Sequence, residues 1–449
     1  MLRLLLVCES KTSNSFQWAF CQLEILRDCL PSSIRRILEE LPASLDETYE
    51  RILKKIRKPN QEHAHRLLQC LAVAARPLRV EELAEVLAFD FDAEGIPELN
   101  LNWRWEDREE AVMSTCSSLV IIVEDGDSRI VQFSHFSVKE FLTADRLAEP
   151  IRDVSRYHIR LDTAHTVLVR ACLGVLLRLD DDVDRDNVKN FPLALYSAQH
   201  WTTHAQFQDV SSRVKDGMEC LFDTDRPHFA TWLWVYNDDQ VGRSMYTMKP
   251  EKPEATPLYY AASFGFLNLA EHLIAKHPEH VMAKGGEAVT AMHAAAESGH
   301  ADILSLLLKH GACADAVALN CNTPLHIAAW CAKVDAGKCL LDHGANIDAR
   351  CGCEMTPLFY AAMWGHVKFV RMLLEREAAI DVRNVTSSSP LHCAAQGGEI
   401  QVVRLLLKHW HGAGVNARNV YEETPAQVAS GPKRQEIVKL LSEYGAEYV

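Results

Sequence analysis

Cysteine and histidine are the side chains of this 449-residue chain best suited to chemistry, because thiolates and imidazoles bind metals and act as nucleophiles or bases. The sequence has 14 Cys and 20 His. Cys321, Cys351 and Cys353 fall in two comparable turns, but no C-x-x-C pair occurs anywhere and no fourth ligand accompanies them. Structural zinc sites typically use such pairs and four ligands. We therefore predict that the chain holds no metal and that most cysteines are reduced residues of helical cores.

Signatures of the common enzyme classes are missing from the sequence. It contains no G-x-S-x-G elbow, no H-E-x-x-H motif and no kinase glycine loop. The phosphate-binding loop G-x-x-x-x-G-K-[ST] is missing too, because the one Gly-Lys pair, Gly337-Lys338, has Ala332 where the first glycine belongs. We therefore predict no catalytic residue, no cofactor and no enzyme activity.

The pattern T-P-L-x-x-A-A organises the C-terminal part of the chain. It recurs, with substitutions, at spacings of 34, 33, 33, 33 and 35 residues, at Thr256–Ala262, Thr290–Ala296, Thr323–Ala329, Thr356–Ala362, Ser389–Ala395 and Thr424–Ser430. In each copy the Thr or Ser is placed to cap a helix, and in the last five copies a helix with a Leu-Leu pair runs back after it. Most copies have Pro in the first turn and Gly at the end of the first helix. One such unit cannot bury its apolar face alone, so the units are predicted to stack into a solenoid.

These units resemble ankyrin repeats, whose signature T-P-L-H-x-A is matched in full at Thr323–Ala328 and with serine first at Ser389–Ala394. The resemblance implies six repeats, at about 254–286, 288–319, 321–352, 354–385, 387–420 and 422–449. It also implies that the fourth signature residue, His293, His326 or His392, hydrogen-bonds the backbone of the neighbouring turn. Tyr259 and Phe359 replace this histidine in two units, where that bond is in doubt.

Partners of ankyrin repeats usually bind the residues seven and eight after the Thr, together with the turn before it, on the concave face. The resemblance therefore implies the partner-binding residues Phe264, Glu297, Trp330, Met363, Trp364 and Gln396. Large aromatic side chains at solvent-facing positions are typical of binding hot spots. The alternative, that these side chains pack on neighbouring repeats, stays open at this point.

The N-terminal part alternates apolar helices with one hairpin signal. Helices are predicted over 16–30, 32–41, 44–56, 61–75, 80–89, 108–119, 136–147, 163–179 and 188–207, and strands over 119–123 and 129–133. Three helices followed by a hairpin are the order of a winged helix. Residues 61–146 carry 8 Lys and Arg against 17 Asp and Glu, so this region would repel phosphate and we predict no nucleic-acid partner.

Three stretches of the chain resemble fungal NACHT-type signalling ATPases with ankyrin repeats (STAND, NLR-like proteins), namely Leu41–Leu53, Arg76–Ala84 and Phe133–Leu142. The resemblance implies a mainly α fold with four parts: a helical ATPase tail over 1–58, a winged helix over 59–147, a helical linker over 148–250 and the six repeats over 251–449. It makes His135 a candidate nucleotide sensor. Because the phosphate loop is missing, we favour the interpretation that His135 is a satisfied core histidine.

Composition agrees with a soluble interaction protein. The formal net charge is −14 and 48% of residues are hydrophobic, as in ordinary globular proteins. Met1–Cys8 is too short for a signal peptide, and no run of 18 apolar residues exists, so we predict a cytoplasmic protein without membrane contact. The predicted function is non-catalytic recognition of a protein partner in an NLR-like signalling or scaffold role. The alternative is the regulatory part of a STAND NTPase whose P-loop lies on a missing N-terminal segment or another chain.

Overall fold

The structure, a computed structural model, describes residues 44–447 except 94, 150–152, 181, 185, 241–252, 254 and 411–413. The chain divides into two compact units, Met1–Glu251 and Lys252–Val449. The helices predicted over 16–30 and 32–41 lie outside the described residues. None of the helices in the described ranges is long and apolar enough to cross a bilayer.

Helix α1, Leu45–Lys55, opens the described part of the N-terminal unit. The Ser44 hydroxyl accepts a hydrogen bond from the Glu47 amide at 3.2 Å, which is one half of the predicted capping box. Tyr49 is buried on this helix, and its hydroxyl lies 2.8 Å from the Ser137 hydroxyl. This contact ties α1 to the helix that follows the predicted hairpin.

The predicted winged helix is present. Its elements follow as α2 (Gln61–Val73), β1 (Leu78–Arg79), α3 (Val80–Glu85), β2 (Phe89–Asp90), β3 (Glu98–Leu99), α4 (Arg108–Cys116), β4 (Val120–Asp125), β5 (Ser128–Phe133) and α5 (Phe136–Thr143). Strands β1, β5 and β4 form an antiparallel sheet in that order. Asp125 pairs with Ser128, which leaves a two-residue turn whose Gly126 has a φ of +59°, as such tight hairpins require.

Two short features of this region differ from the predictions. The helix predicted over 80–89 ends at Glu85, and Phe89 instead begins β2, where it pairs with Leu99 of β3. Strand β1 was not predicted either. Strands of two residues are too short to show the alternation by which a strand is recognised in sequence.

Five further helices follow in the described part of the N-terminal unit, namely α6 (Leu161–Leu176), α7 (Ala194–Ala205), α8 (Val210–Arg213), α9 (Lys215–Leu221) and α10 (His228–Gln240). Their core is aromatic: Trp201 and Trp232 are buried with ring centroids 5.5 Å apart, and the Trp232 indole donates a hydrogen bond of 3.0 Å to the Ala198 carbonyl. The cysteines of the described residues are free thiols. Burial raises the pKa of Cys116 and Cys172 to about 12, so these two are inert core residues, as predicted.

The C-terminal unit consists of six helix pairs. The inner helices are α11 (Pro257–Phe264), α13 (Ala291–Ser298), α15 (Pro324–Trp330), α17 (Pro357–Met363), α19 (Pro390–Gln396) and α21 (Pro425–Val428). The outer helices are α12 (Leu267–Lys276), α14 (Ala301–Lys309), α16 (Val334–Asp342), α18 (Val367–Glu375), α20 (Ile400–Trp410) and α22 (Arg434–Glu443). Each inner helix packs on the next inner helix and each outer helix on the next outer one, so the apolar faces are buried by stacking, as predicted.

Single turns of 3₁₀ helix connect several of these elements. They are Lys58–Asn60, Val86–Ala88, Leu101–Trp103, Ser117–Leu119, Asp145–Leu147, Ser155–Tyr157, Val188–Asn190, Pro278–Val281 and Gly286–Ala288.

The residue nine after the Thr or Ser of a repeat, close to the end of the inner helix, has a left-handed backbone in several repeats. Gly265, Gly299 and Gly365 have φ values of +80°, +92° and +72°. Ala332 takes this place in the third repeat with a φ of +57°, although an L-residue is disfavoured there. The stacking of neighbouring repeats therefore imposes on Ala332 a turn that its own type does not favour.

Candidate protein-binding groove

The turns before the inner helices form a continuous backbone ladder. In the turns of the third to sixth repeats, the residue four before the Thr or Ser donates its amide to a carbonyl of the preceding turn. These bonds are Leu319 to Glu287 at 2.9 Å, Gly352 to Asn320 at 2.9 Å, Val385 to Cys353 at 3.2 Å and Val420 to Thr386 at 2.9 Å. The ladder aligns the turn tips into one row beside the inner helices.

The histidines of the repeat signature lock this row to the inner helices. The Thr323 amide donates to His326 Nδ1 at 3.1 Å, so the proton lies on Nε2, which donates to the Met355 carbonyl at 3.0 Å. His293 and His392 bond Asn322 and Glu423 of the next turn in the same way, at 3.1 and 3.2 Å. Burial lowers the pKa of His326 to about 4, so the imidazole is neutral at pH 7. The predicted structural role of these histidines is confirmed.

A cavity of about 470 Å³ lies between the inner helices of the second and third repeats and the adjoining turns. We call it the Trp330 groove. It is lined by Tyr259, Glu287, Val289, His293, Ala294, Glu297, Ala318, Leu319, Asn320, Ile327, Trp330 and Cys331. Two of the predicted partner-binding residues, Glu297 and Trp330, therefore meet in one depression.

Trp330 is both packed and accessible. Its ring stacks on that of Tyr360 in the next repeat, with centroids 6.3 Å apart and planes at 28°, and 47% of the residue stays exposed. The Tyr360 hydroxyl donates to Asn322 Oδ1 at 3.1 Å, and His366 Nε2 lies 2.8 Å from the Trp330 carbonyl oxygen. The packing alternative left open by the sequence is therefore met by this side chain, while about half of the residue stays exposed to solvent. A fixed, half-exposed indole offers contact area at little cost in side-chain entropy.

Comparison with known proteins agrees with this architecture. Residues 237–319, 258–351, 314–385 and 377–449 match the family described as ankyrin repeats (three copies). The C-terminal unit is an ankyrin-repeat array. Residues 49–151 match the winged helix domain of GPI inositol-deacylase. The azaphilone pigments biosynthesis cluster protein L of Monascus ruber is 32% identical over 292 residues, a match that covers 61% of this chain and 61% of that relative. The chain thus aligns with about three fifths of the relative's length.

The remaining predicted partner residues of the ankyrin array differ in their exposure. Trp364 is 53% exposed, and Gln396 is exposed while its carbonyl accepts a hydrogen bond from the Ser430 hydroxyl. Phe264 is half-buried, with its ring 6.0 Å from that of Phe266. These three lie outside the Trp330 groove.

Met363 is less accessible than its predicted role requires. It is half-buried and packs against the buried cluster of Phe359, Val382 and Cys393. Phe359 takes the place of the signature histidine in this repeat, so an apolar cluster replaces the hydrogen bond and Met363 covers it. The prediction that Met363 serves a partner therefore competes with a core role that the sequence pattern did not reveal.

The turn tips of the ankyrin array carry exposed apolar residues that the sequence reasoning did not name. Leu319 is 74% exposed, Val385 60%, Val420 55% and Tyr421 70%. All four lie three or four residues before the Thr or Ser of a repeat. The turn before each inner helix is predicted to take part in binding. Inspection of the positions three and four before the Thr or Ser of each copy would therefore have identified these apolar residues.

The Trp330 groove is negatively charged. Glu287 and Glu297 are exposed at its edge, and the described residues that line it include no Lys or Arg. Burial raises the pKa of Tyr259, and the charge of Glu297 raises it further. Burial and Glu297 likewise raise the pKa of the Cys331 thiol, while Lys333 nearby opposes them. The field at the floor of the groove thus disfavours a further anion.

His135 lies in the winged helix and caps α5. Its Nδ1 accepts a hydrogen bond from the Ser137 amide at 3.3 Å and lies 2.6 Å from the Ser137 hydroxyl, which in turn contacts Tyr49. The residue is half-buried. It is therefore a satisfied histidine, as the favoured interpretation had it, but it caps a helix and is only half-buried rather than part of the core. The signal was present in the sequence, since His135 directly precedes a predicted helix.

Proposed function

We propose that this chain is a non-catalytic protein-binding protein whose ankyrin repeats hold a protein partner on their concave face, centred on the Trp330 groove. The observation that carries the proposal is Trp330 itself, half-exposed, held by Tyr360 and next to the exposed Leu319. Exposed indoles in well-formed depressions are the side chains on which binding energy concentrates.

The partner segment that fits this groove carries Lys or Arg. The faces of Trp330 and Tyr259 suit the aliphatic stem or the charge of a cationic side chain, and Glu287 and Glu297 supply the opposite charge. The apolar turn tip at Leu319 extends the contact beyond the charged centre. An acidic peptide would meet both carboxylates and bury them without a partner, at a cost in affinity.

The test uses a library of short peptides panned on the full chain, followed by calorimetry on an enriched peptide. We expect Lys- or Arg-containing sequences, and we expect Trp330→Ala to weaken binding about tenfold or more, as for hot-spot residues. Trp105→Ala is the matched control, because Trp105 is exposed to a similar extent, 51%, in the other unit. Unchanged affinity in a folded Trp330→Ala variant would show that the groove is not the site.

The N-terminal unit is proposed to transmit or restrain this recognition event in an NLR-like signalling role in the cytoplasm. The support is the resemblance to NACHT-type proteins together with the match to a deacylase winged helix. An adaptor role for biosynthetic enzymes is a second candidate, favoured by the pigment-cluster name of the Monascus relative. To separate the signalling role from the adaptor role, recruitment of a partner enzyme is measured on the parent chain and on a variant in which the contacts of the winged helix are disrupted.

The alternative, a regulatory part of a STAND NTPase, makes a distinct prediction. It requires tight, Mg²⁺-dependent ATP or ADP binding that His135→Ala abolishes. The proposed non-catalytic function requires that titration of either labelled nucleotide onto the purified chain gives no such binding. The His135→Ala variant should then differ from the parent only by loss of a helix cap, about 1 kcal/mol of unfolding free energy.

A further inference from the structure

The first ankyrin repeat ends differently from the next two. After the outer helices of the second and third repeats the chain has Gly311-Ala312 and Gly344-Ala345. After α12 of the first repeat it has His277-Pro278 instead, and a 3₁₀ turn follows over Pro278–Val281. Pro278 fits the start of such a turn because its φ is fixed, and the turn brings residues 277, 279 and 280 to one side.

Three possible metal ligands converge in this turn. One ligand atom from each of His277, Glu279 and His280 lies within 4.8 Å of the others. His277 Nδ1 and a Glu279 carboxylate oxygen lie 3.3 Å apart. The two imidazole rings are stacked, with centroids 4.9 Å apart and planes at 22°. Among the residues that the structure describes, no other three His, Cys, Asp or Glu side chains converge in this way.

The Nδ1 atom of His280 is a second, independent indication of a ligand. It is buried from solvent and has no hydrogen-bond partner among the described residues. Buried polar atoms are nearly always satisfied, so an orphaned ring nitrogen calls for an explanation.

We propose that His277, Glu279 and His280 form a binding site for one divalent transition-metal ion of the Zn²⁺ type. Two imidazoles and one carboxylate are a donor set that this ion takes, with a fourth position left for water or an outside ligand. A single carboxylate is too few oxygen ligands for Ca²⁺ or Mg²⁺. The site is independent of the Trp330 groove and of the proposed partner binding.

The geometry requires only a small closure. Tetrahedral ligand atoms at 2.0–2.1 Å from zinc lie about 3.3 Å from one another. The His277–Glu279 pair already has this separation, so the remaining atoms approach by about 1.5 Å at most, within reach of side-chain rotation. Glu279 is 66% exposed on its side chain and free to swing, while α12 and the turn hold the two histidines. Metal binding would thereby fasten the turn to the end of α12.

The experiment titrates Zn²⁺ and Co²⁺ onto the full chain after removal of any histidine tag. We expect one equivalent of Co²⁺ to give a d–d absorption band without thiolate charge transfer, and Zn²⁺ to displace it. Loss of a ligand should weaken binding at least as much as loss of an outer-shell contact, about 10–100-fold, in both His280→Ala and His277→Ala. Zn²⁺ should raise the Tm of the parent chain but not that of a double variant that combines His277→Ala with His280→Ala.

Two further variants keep the outcome decisive. Glu279→Gln changes an exposed side chain, so it should weaken metal binding while leaving the fold intact. His310→Ala is the matched control, because His310 is an exposed histidine that follows the outer helix of the second repeat. The proposal is overturned if the parent chain binds no equivalent of either ion, or if Glu279→Gln and the double variant bind as the parent does.

Discussion

Two pairs of tryptophans, one in each unit of this protein, differ in their exposure. In the N-terminal unit, Trp201 and Trp232 are fully enclosed and contact each other. In the ankyrin unit, Trp330 and Trp364 are about half exposed. In the first arrangement, large side chains fill one core that joins helices distant in the chain. In the second arrangement, the large side chains lie at the surface, because small Ala and Leu residues already fill the narrow space between stacked repeats.

This difference separates stability from recognition. Within the N-terminal unit, many long-range contacts pass through a few large side chains, so one substitution affects several helices at once. Within the ankyrin unit, each repeat contacts mainly its neighbours, so the exposed tryptophans are expected to be replaceable without loss of the fold. Paired substitutions in the two units test this comparison.

The largest expected effect is that of Trp232→Ala. It removes a buried indole that packs on Trp201 and donates to the Ala198 carbonyl, so we expect a loss of about 3–5 kcal/mol of unfolding free energy. Trp330→Ala should cost about 1 kcal/mol or less, because the residue is 47% exposed. Hydrogen exchange read by mass spectrometry assigns each loss to its own unit. Equal losses for the two variants would contradict the division between core and surface.

The same contrast explains how much of the fold could be predicted from sequence. The helix caps and the histidine bonds of the repeats were predictable because each copy follows the same local sequence pattern, as Thr323 and His326 illustrate. The short strands β1 to β3 were not, because their pairing depends on residues distant in the chain. Phe89, for instance, is held in a strand by Leu99 and not by its neighbours.

The candidate site was predictable in part for the same reason. Trp330 and Glu297 occupy positions fixed by the repeat register, and both line one groove. The core role of Met363 was hidden, because it follows from Phe359 replacing a histidine and from contacts with the next repeat. The His277–Glu279–His280 turn was hidden too, since three ligands so close in sequence converge only when a 3₁₀ turn brings them together.

An intermediate effect is expected from the signature histidine. Because burial lowers the pKa of His326 to about 4, the unfolded chain takes up a proton first as the pH falls. The contribution of His326 to the free energy of unfolding is complete above pH 6.5, is lost between pH 6.5 and 4, and changes no further below pH 4. The loss between pH 6.5 and 5 should be about 1–2 kcal/mol.

His326→Gln tests this dependence without removing the cap. Gln427 holds the equivalent capping position in the sixth repeat, where its side-chain oxygen accepts a hydrogen bond from the Thr424 amide at 2.8 Å. We expect the variant to show a flatter decline of unfolding free energy in urea between pH 6.5 and 5. A variant with the same slope as the parent would mean that another group sets the acid sensitivity. The buried His204 of the N-terminal unit, whose pKa burial lowers to about 3, should keep its own contribution in either case.

The smallest expected effect compares one repeat with its neighbours. Ala332 stands where four other repeats have a left-handed glycine, and its φ of +57° costs an L-residue about 1 kcal/mol. Ala332→Gly removes this strain but adds freedom to the unfolded chain, so a net gain of about 0.5 kcal/mol is expected. Urea unfolding of the full chain measures it, and Ala336→Gly, inside the helix α16, should instead lose about 1 kcal/mol. If Ala332→Gly destabilised the protein as Ala336→Gly does, the third repeat would not be strained at this turn, and its alanine would be as well suited there as glycine is in the others.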